Sequence, residues 1–170
     1  MIEYVRATLI SQYEAALSML NQCVAACPAE HWDAKIGNGP FRWVVYHTLF
    51  FTDLYLTTSN DEFELRDLHR RVGDEREDRA CLGLEHVEAL EYATVCRAKI
   101  PVTLSIETPE SLAGPSGFSW YPISRGELHL VNIRHIQHHA GQLSAFLRKV
   151  NDALADRKAL PWVRSGWRDP

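Results

Sequence analysis

Apolar residues return at steps of three and four over four separate stretches of this chain, a repeat that restricts it to packed amphipathic helices. The first stretch, Ile2 to Cys27, carries Ile2, Val5, Leu9, Tyr13, Ala16, Leu20 and Cys23 or Val24 on one face. Pro28 stops it, because a proline cannot continue the hydrogen-bond ladder. After a loop holding Gly37-Asn38-Gly39, Pro40 stands where the first turn of a helix accepts proline. The second helix is therefore expected over 40–57, with Trp43, His47, Phe50, Leu54 and Thr57 along its stripe.

Residues 61–79 mix both charge signs with few apolar residues and read as a surface excursion with one helical turn near 62–68. Within it His69-Arg70-Arg71, soon countered by Asp74, Glu75, Glu77 and Asp78, reads as a solvated loop face. The third helix is predicted over 79–100, with Leu84, Val87, Leu90 and Thr94 on one side and Pro101 as its end. Val102, Leu104 and Ile106 then alternate with Thr103, Ser105 and Glu107, the period of a strand. A short hairpin is expected there, turning at Gly114-Pro115-Ser116-Gly117 and returning through Phe118, Trp120 and Tyr121. Ser124 and Glu127 form a capping box that opens the fourth helix, expected to run to Val150. The expectation is an all-α four-helix bundle over 1–150, with a long connection after the second helix. A tail, 151–170, carries Trp162 and Trp167 and docks on the bundle.

At 170 residues the chain has the size of one domain. A net charge of −4 and scattered basic residues supply no field for a phosphate backbone, so nucleic acid is not an expected partner. No apolar run spans a bilayer and Met1 to Arg6 lacks signal-peptide character, so a cytoplasmic protein without membrane partners is expected. Cys23, Cys27, Cys81 and Cys96 form no CxxC pair and read as thiols packed in the core.

Three of the chain's eight histidines fall within five residues, at His135, His138 and His139. On a helix His135 and His139 differ by about 40 degrees and stand one turn apart, as two ligands of one ion require. Leu128 and Phe146 fall between them on the wheel, so the pair faces the core, whereas His138 lies about 100 degrees away, toward the polar arc. His138 thus reads as a supporting or surface residue. Buried imidazoles need partners for their nitrogens, and a metal ion is one such partner. His47, the histidine on the stripe of the second helix, is the candidate third ligand. The competing explanation is a plain bundle in which these rings hydrogen-bond to core polar groups. His31, His69, His86 and His129 read as loop, surface or packing residues. A zincin is excluded because Ile136 stands where HExxH needs its glutamate, and a ferritin-like di-iron site because no Glu-x-x-His occurs.

The run Asn132 to Leu143, His-x-x-x-His followed by Ala140-Gly141-Gln142-Leu143, resembles the last-helix motif of the DinB/YfiT-like metalloenzymes. The order of helices, with one histidine in the first half of the second, is similar as well, over roughly residues 1–150. The resemblance implies a four-helix bundle whose three metal ligands match His47, His135 and His139. It implies zinc or nickel as the ion, homodimers, and relatives that include transferases and isomerases using low-molecular-weight thiols. The sequence departs from the motif at Ala140, where arginine is frequent.

Two functions follow. One is a metal-dependent enzyme of the thiol S-transferase, hydrolase or isomerase type. The other is a non-catalytic metal- or ligand-binding bundle in which the ion is structural, and the fourth coordination position separates the two. Spacing selects no general base among Tyr46, Tyr121, His138 and the glutamates of the third helix. A pocket at the ion is expected to be walled by Trp43, Tyr46 and Phe50, with the aromatic residues of 118–121 at its mouth.

Overall fold

The computed structural model describes residues 1–37, 39–72, 84–150 and 160–170, with the side chains of 70–72 left aside. Cys81, the expected start of the third helix over 79–83, the charged run from Asp74 to Asp78 and tail residues 151–159 lie outside the described residues. Four long helices carry the fold: α1 (Ile2–Ala25), α2 (Phe41–Tyr55), α4 (His86–Ile106) and α6 (Arg125–Val150). α3 (Asp67–Val72) and α5 (Pro109–Ala113) are short pieces in the connections. α1 packs on α4 and α6, and α2 packs on the same two, so α1 and α2 occupy opposite corners of a four-helix bundle. The interior is filled by Tyr13, Leu17, Leu20, Phe41, Leu49, Phe50, Leu54, Ile100, Leu104, Leu128, Ile136 and Leu143, each essentially inaccessible. At roughly 1.5 to 3 kcal/mol per fully buried large apolar side chain, this interior is the main force holding the helices together. Among the described residues no helix is long and apolar enough to cross a membrane.

The expected boundaries of α1, α2 and α6 agree with the structure to within two residues. At the start of α6 the Glu127 amide donates to Ser124 Oγ (3.2 Å) and the Ser124 amide donates to Glu127 Oε2 (3.0 Å), the reciprocal pair that satisfies two otherwise orphaned donors. α4 differs. It passes through Pro101 and ends at Ile106. An interior proline costs about 3 kcal/mol. Beyond it Leu104 is fully buried and Thr103 Oγ1 donates to the Leu56 carbonyl at 2.9 Å, contacts that only a continued helix delivers.

The expected hairpin over 102–121 is therefore absent. Val102, Leu104 and Ile106 lie on helix, where Val102 and Ile106 are exposed and Leu104 faces the core, so six alternating residues were too few to distinguish the two periods. Thr108 and Ser111 cap the single turn of α5, and an isolated bridge from Pro115 to Ser124 closes the following loop. A two-stranded sheet stands elsewhere: β1 (Lys35–Ile36) pairs antiparallel with β2 (Gly39–Pro40) just before α2.

Two buried polar networks brace the corners. Arg125 Nε donates to Glu107 Oε1 at 2.8 Å, and its Nη1 reaches the carbonyls of Tyr55 (3.0 Å) and Thr57 (2.7 Å), tying α6 to the ends of α4 and α2. The same carboxylate oxygen lies 3.2 Å from His129 Nε2, and His129 Nδ1 lies 3.0 Å from the Tyr13 hydroxyl of α1. In the second network Asp53 takes Lys99 Nζ at 2.5 Å and the Tyr92 hydroxyl at 3.2 Å, and Tyr92 in turn meets His69 Nε2 at 2.9 Å. His69 is consequently buried, not part of a solvated loop face: the segment folds back so that its ring stacks on Phe63.

Cys23, Cys27 and Cys96 are buried free thiols. In the tail, Trp167 lies beneath the Arg97 guanidinium at 4.2 Å and the Gly166 amide donates to the Ser11 carbonyl at 3.0 Å, whereas Trp162 is exposed.

Candidate metal centre

α2 and α6 pack side by side, and the sequence places His47 on one and His135 with His139, a turn apart, on the other. The register between the two helices is held close by, where the Asn132 amide donates to the Thr52 carbonyl at 3.2 Å. The three rings converge. His135 Nε2 lies 3.1 Å from His47 Nε2 and 3.1 Å from His139 Nε2, with the ring planes steeply inclined to one another. His47 and His139 meet as well, with ring centroids 5.0 Å apart.

Flanking residues on the same helical faces hold these rings. Trp43, one turn before His47, stacks on it at a centroid distance of 5.1 Å, and Phe51, one turn after, meets it edge-on at 4.9 Å. Phe51 also approaches His135 at 6.1 Å. On α6, His139 Nδ1 donates to Gln142 Oε1 at 2.9 Å, and the Gln142 amide donates to Nε2 of the exposed His138 at 3.1 Å. Gln142 stood in the quoted motif without a role and Phe51 escaped the sequence reading, although the same three- and four-residue spacing that paired His135 with His139 marks both as neighbours of the candidate ligands.

Burial first, and then repulsion from neighbouring rings, pushes the imidazole of His135 down to about 3. Burial likewise brings His139 to about 4, against the opposing effect of Gln142. Both rings are thus neutral near pH 7, the form that offers a lone pair to a cation. The proton arithmetic then becomes acute. Neutral His139 spends its one proton at Nδ1 on Gln142, so its Nε2 is bare. His135 Nε2 offers either one proton or one lone pair, so at most one of the two 3.1 Å contacts contains a hydrogen bond and the other is left without one. A divalent cation at the shared point satisfies all three nitrogens at once, and imidazole is a donor suited to zinc and nickel. The donor set therefore fits such an ion. His47, His135 and His139 form the group among the described residues that could hold one, with no further His, Cys, Asp or Glu joining it.

A cleft of about 550 Å³ opens beside the cluster, lined by Ile36, Trp43, Val44, His139, Ala145 and Phe146 among others. Trp43 is the one expected wall residue found there. Tyr46 and Phe50 are fully buried instead, turned toward His69 by their position on the far side of α2. Phe118 and Tyr121 line a separate depression with the loop 113–124 and do not stand at the mouth of this cleft. Of the candidate bases, His138 has its ring 5.0 Å from His139, whereas Tyr46 packs on His69 and Tyr121 on Tyr55.

Gly39 sets the position of Trp43. A Cβ at residue 39 would come within 2.6 Å of Trp43 Cε3, so only glycine lets the indole lie where it stacks on His47. Gly39→Ala is expected to cost about 1 to 3 kcal/mol, the usual penalty for overpacking. Adding Trp43→Leu to the same chain should return most of that loss. Urea unfolding of the single and double variants measures both, and equal stabilities of Gly39→Ala and the parent would show that the indole has room to move.

The family model described as the DinB superfamily matches residues 12–143, which include all three histidines of the cluster. No curated protein and no solved structure matches the chain.

Proposed function

The chain belongs to the DinB superfamily, and from that footing we propose that it is a metal-dependent enzyme holding one divalent ion, zinc or nickel, through His47, His135 and His139. The observation that carries this reading is the pair of 3.1 Å Nε2 contacts centred on His135, which that one nitrogen cannot both fill with hydrogen bonds. When bound, the ion supplies a Lewis acid that makes a coordinated water or thiol more acidic. The chain's own residues do the rest. Gln142 holds the His139 proton at Nδ1 and so keeps Nε2 directed at the ion. Trp43 and Phe51 cover two sides of His47 and keep bulk water away, which strengthens electrostatic interactions at the site. The cleft that reaches His139 gives a substrate its approach.

A structural ion is normally closed by a fourth protein ligand. Three donors and an adjacent cleft favour the catalytic role over a helix staple. The reaction class we assign is attack of a low-molecular-weight thiol on an electrophile.

Elemental analysis of protein purified without an affinity tag is expected to give about one equivalent of zinc or nickel. The loaded protein, screened with several small thiols against alkyl and aryl electrophiles and against simple esters, should turn over at least one pair, and lose that turnover when a chelator removes the ion. A fully loaded protein inert across the panel would replace the enzyme by the structural reading, and a metal-free protein would overturn both.

A further inference from the structure

The cleft beside His139 has a direction as well as a volume. Its lining runs along α6 from His139 through Phe146 to Lys149, ten residues and therefore about 15 Å of helix. Between those ends the walls are apolar apart from Gln142, whose amide is engaged by His139 and His138: Trp43 and Val44 come from α2, and Phe146 is pinned by Phe41 and His31, each 6.0 Å from its ring. Among the described residues Lys149 stands at the far end as the one charged residue of the lining, and none of their carboxylates forms an ion pair with it. The four-carbon stem of Lys149 is flexible enough to carry its ammonium back along the cleft toward the histidines.

We propose that the substrate of this site is an elongated organic anion: its reacting group lies at the three-histidine end, an apolar chain or ring crosses Trp43 and Phe146, and its carboxylate or sulfonate meets Lys149 about 10 to 15 Å away. The proposal rests on the enzyme reading above, but the chemistry of the cleft is testable without the ion. The volume suits it: about 550 Å³ lies within the range of small-molecule sites. The apolar walls supply affinity and the single cation selects charge and fixes which end of the molecule enters first.

Two sets of probes separate the proposal from the reading it rests on. With metal-free protein, calorimetric titration of decanoate and of decyltrimethylammonium compares one chain length with opposite charges. Decanoate is expected to bind more tightly; Lys149→Glu should weaken it by about tenfold and narrow or reverse the preference. Ala145→Trp, at an exposed position on the cleft wall, should abolish binding of both. With zinc-loaded protein, 11-mercaptoundecanoate should bind at least tenfold more tightly than either 3-mercaptopropionate, which is too short to reach both ends, or 11-mercaptoundecanol, which lacks the anion.

Binding of decanoate blocked by Ala145→Trp, without any gain from a thiol, would sink the metal reading and leave the cleft's chemistry standing. Stoichiometric zinc with no charge preference among the ten-carbon probes, or with decanoate binding that Ala145→Trp leaves intact, would overturn the proposal while sparing the metal.

Discussion

His135→Ala should yield a protein that no longer retains a stoichiometric ion yet unfolds at about the same denaturant concentration as the metal-free parent. His135 is the ring whose Nε2 meets both others at 3.1 Å, and its removal leaves two donors, His47 and His139, with ring centroids 5.0 Å apart, too few to hold the ion tightly. Spread over its ligands, structural zinc binding of about 10 to 16 kcal/mol amounts to about 3 kcal/mol for each, a loss of a hundredfold or more in affinity. The metal-free fold should lose little, because His135 Nδ1 is buried without a hydrogen-bond partner and its Nε2 makes at most one hydrogen bond with its two neighbours. Metal at a thousand times its dissociation constant should stabilise the parent by about 4 kcal/mol and the variant hardly at all. His138→Ala, at an exposed ring outside the group, should keep most of the affinity. Titration calorimetry and urea unfolding with and without zinc measure all three proteins. Equal losses from His135→Ala and His138→Ala would show that the ligand assignment is wrong.

Arg125→Met should cost about 3 to 5 kcal/mol, because it strands a buried carboxylate and removes the donor from two carbonyls at once. Burial alone would raise the Glu107 pKa, but hydrogen bonds from His129, Ser111 and Arg125 more than offset it and hold the carboxyl at about 2. Its folded value thus lies below its unfolded value, near 4.5. The unfolded chain therefore binds more protons between those two values. This contribution is fully present above pH 4.5 and is lost as pH falls toward 2. His129, pushed down by burial, acts in the same direction starting from its ordinary value of 6.5, so the parent should weaken steadily as acid is added. Arg125→Met should be weaker at neutral pH and show a shallower decline below pH 4.5, since the carboxylate it strands has less to lose. Urea unfolding at intervals between pH 7 and pH 3 measures this, and parallel curves for parent and variant would show that Arg125 does not hold the Glu107 charge.

What was legible in the sequence is what one helix can encode by itself. The stripes of the first, second and last helices, Pro28 as a stop, the Ser124–Glu127 box and the one-turn spacing of His135 and His139 are local and stand in the fold. The stripe read for the third helix does not: Val87 and Thr94 are exposed, and α4 buries Ala89, Tyr92, Ala93, Cys96 and Ile100 instead. His47 was found because a histidine on an otherwise apolar stripe is conspicuous. Partners from distant segments were not legible. His69 carries no local sign that it will stack on Phe63 and reach Tyr92, since that depends on the segment folding back over α2 and α4. Arg125 and Glu107 are 18 residues apart and meet only because the α5 turn brings the two helix ends together. Pro101 misled for a related reason: its cost is local, whereas the contacts of Thr103 and Leu104 that outweigh it are tertiary. The walls of the cleft show the same division. Trp43 shares the face of His47, but Tyr46 and Phe50 belong to the sides of α2 that α4 and the folded-back segment cover.

X-ray absorption at the zinc edge of tag-free, zinc-loaded protein tests the central claim most directly. Three imidazole nitrogens at about 2.0 to 2.1 Å, together with one light scatterer that is not a protein side chain, are predicted for an ion held by His47, His135 and His139. Sulfur at about 2.3 Å, or a spectrum indistinguishable from that of hydrated zinc, would contradict it.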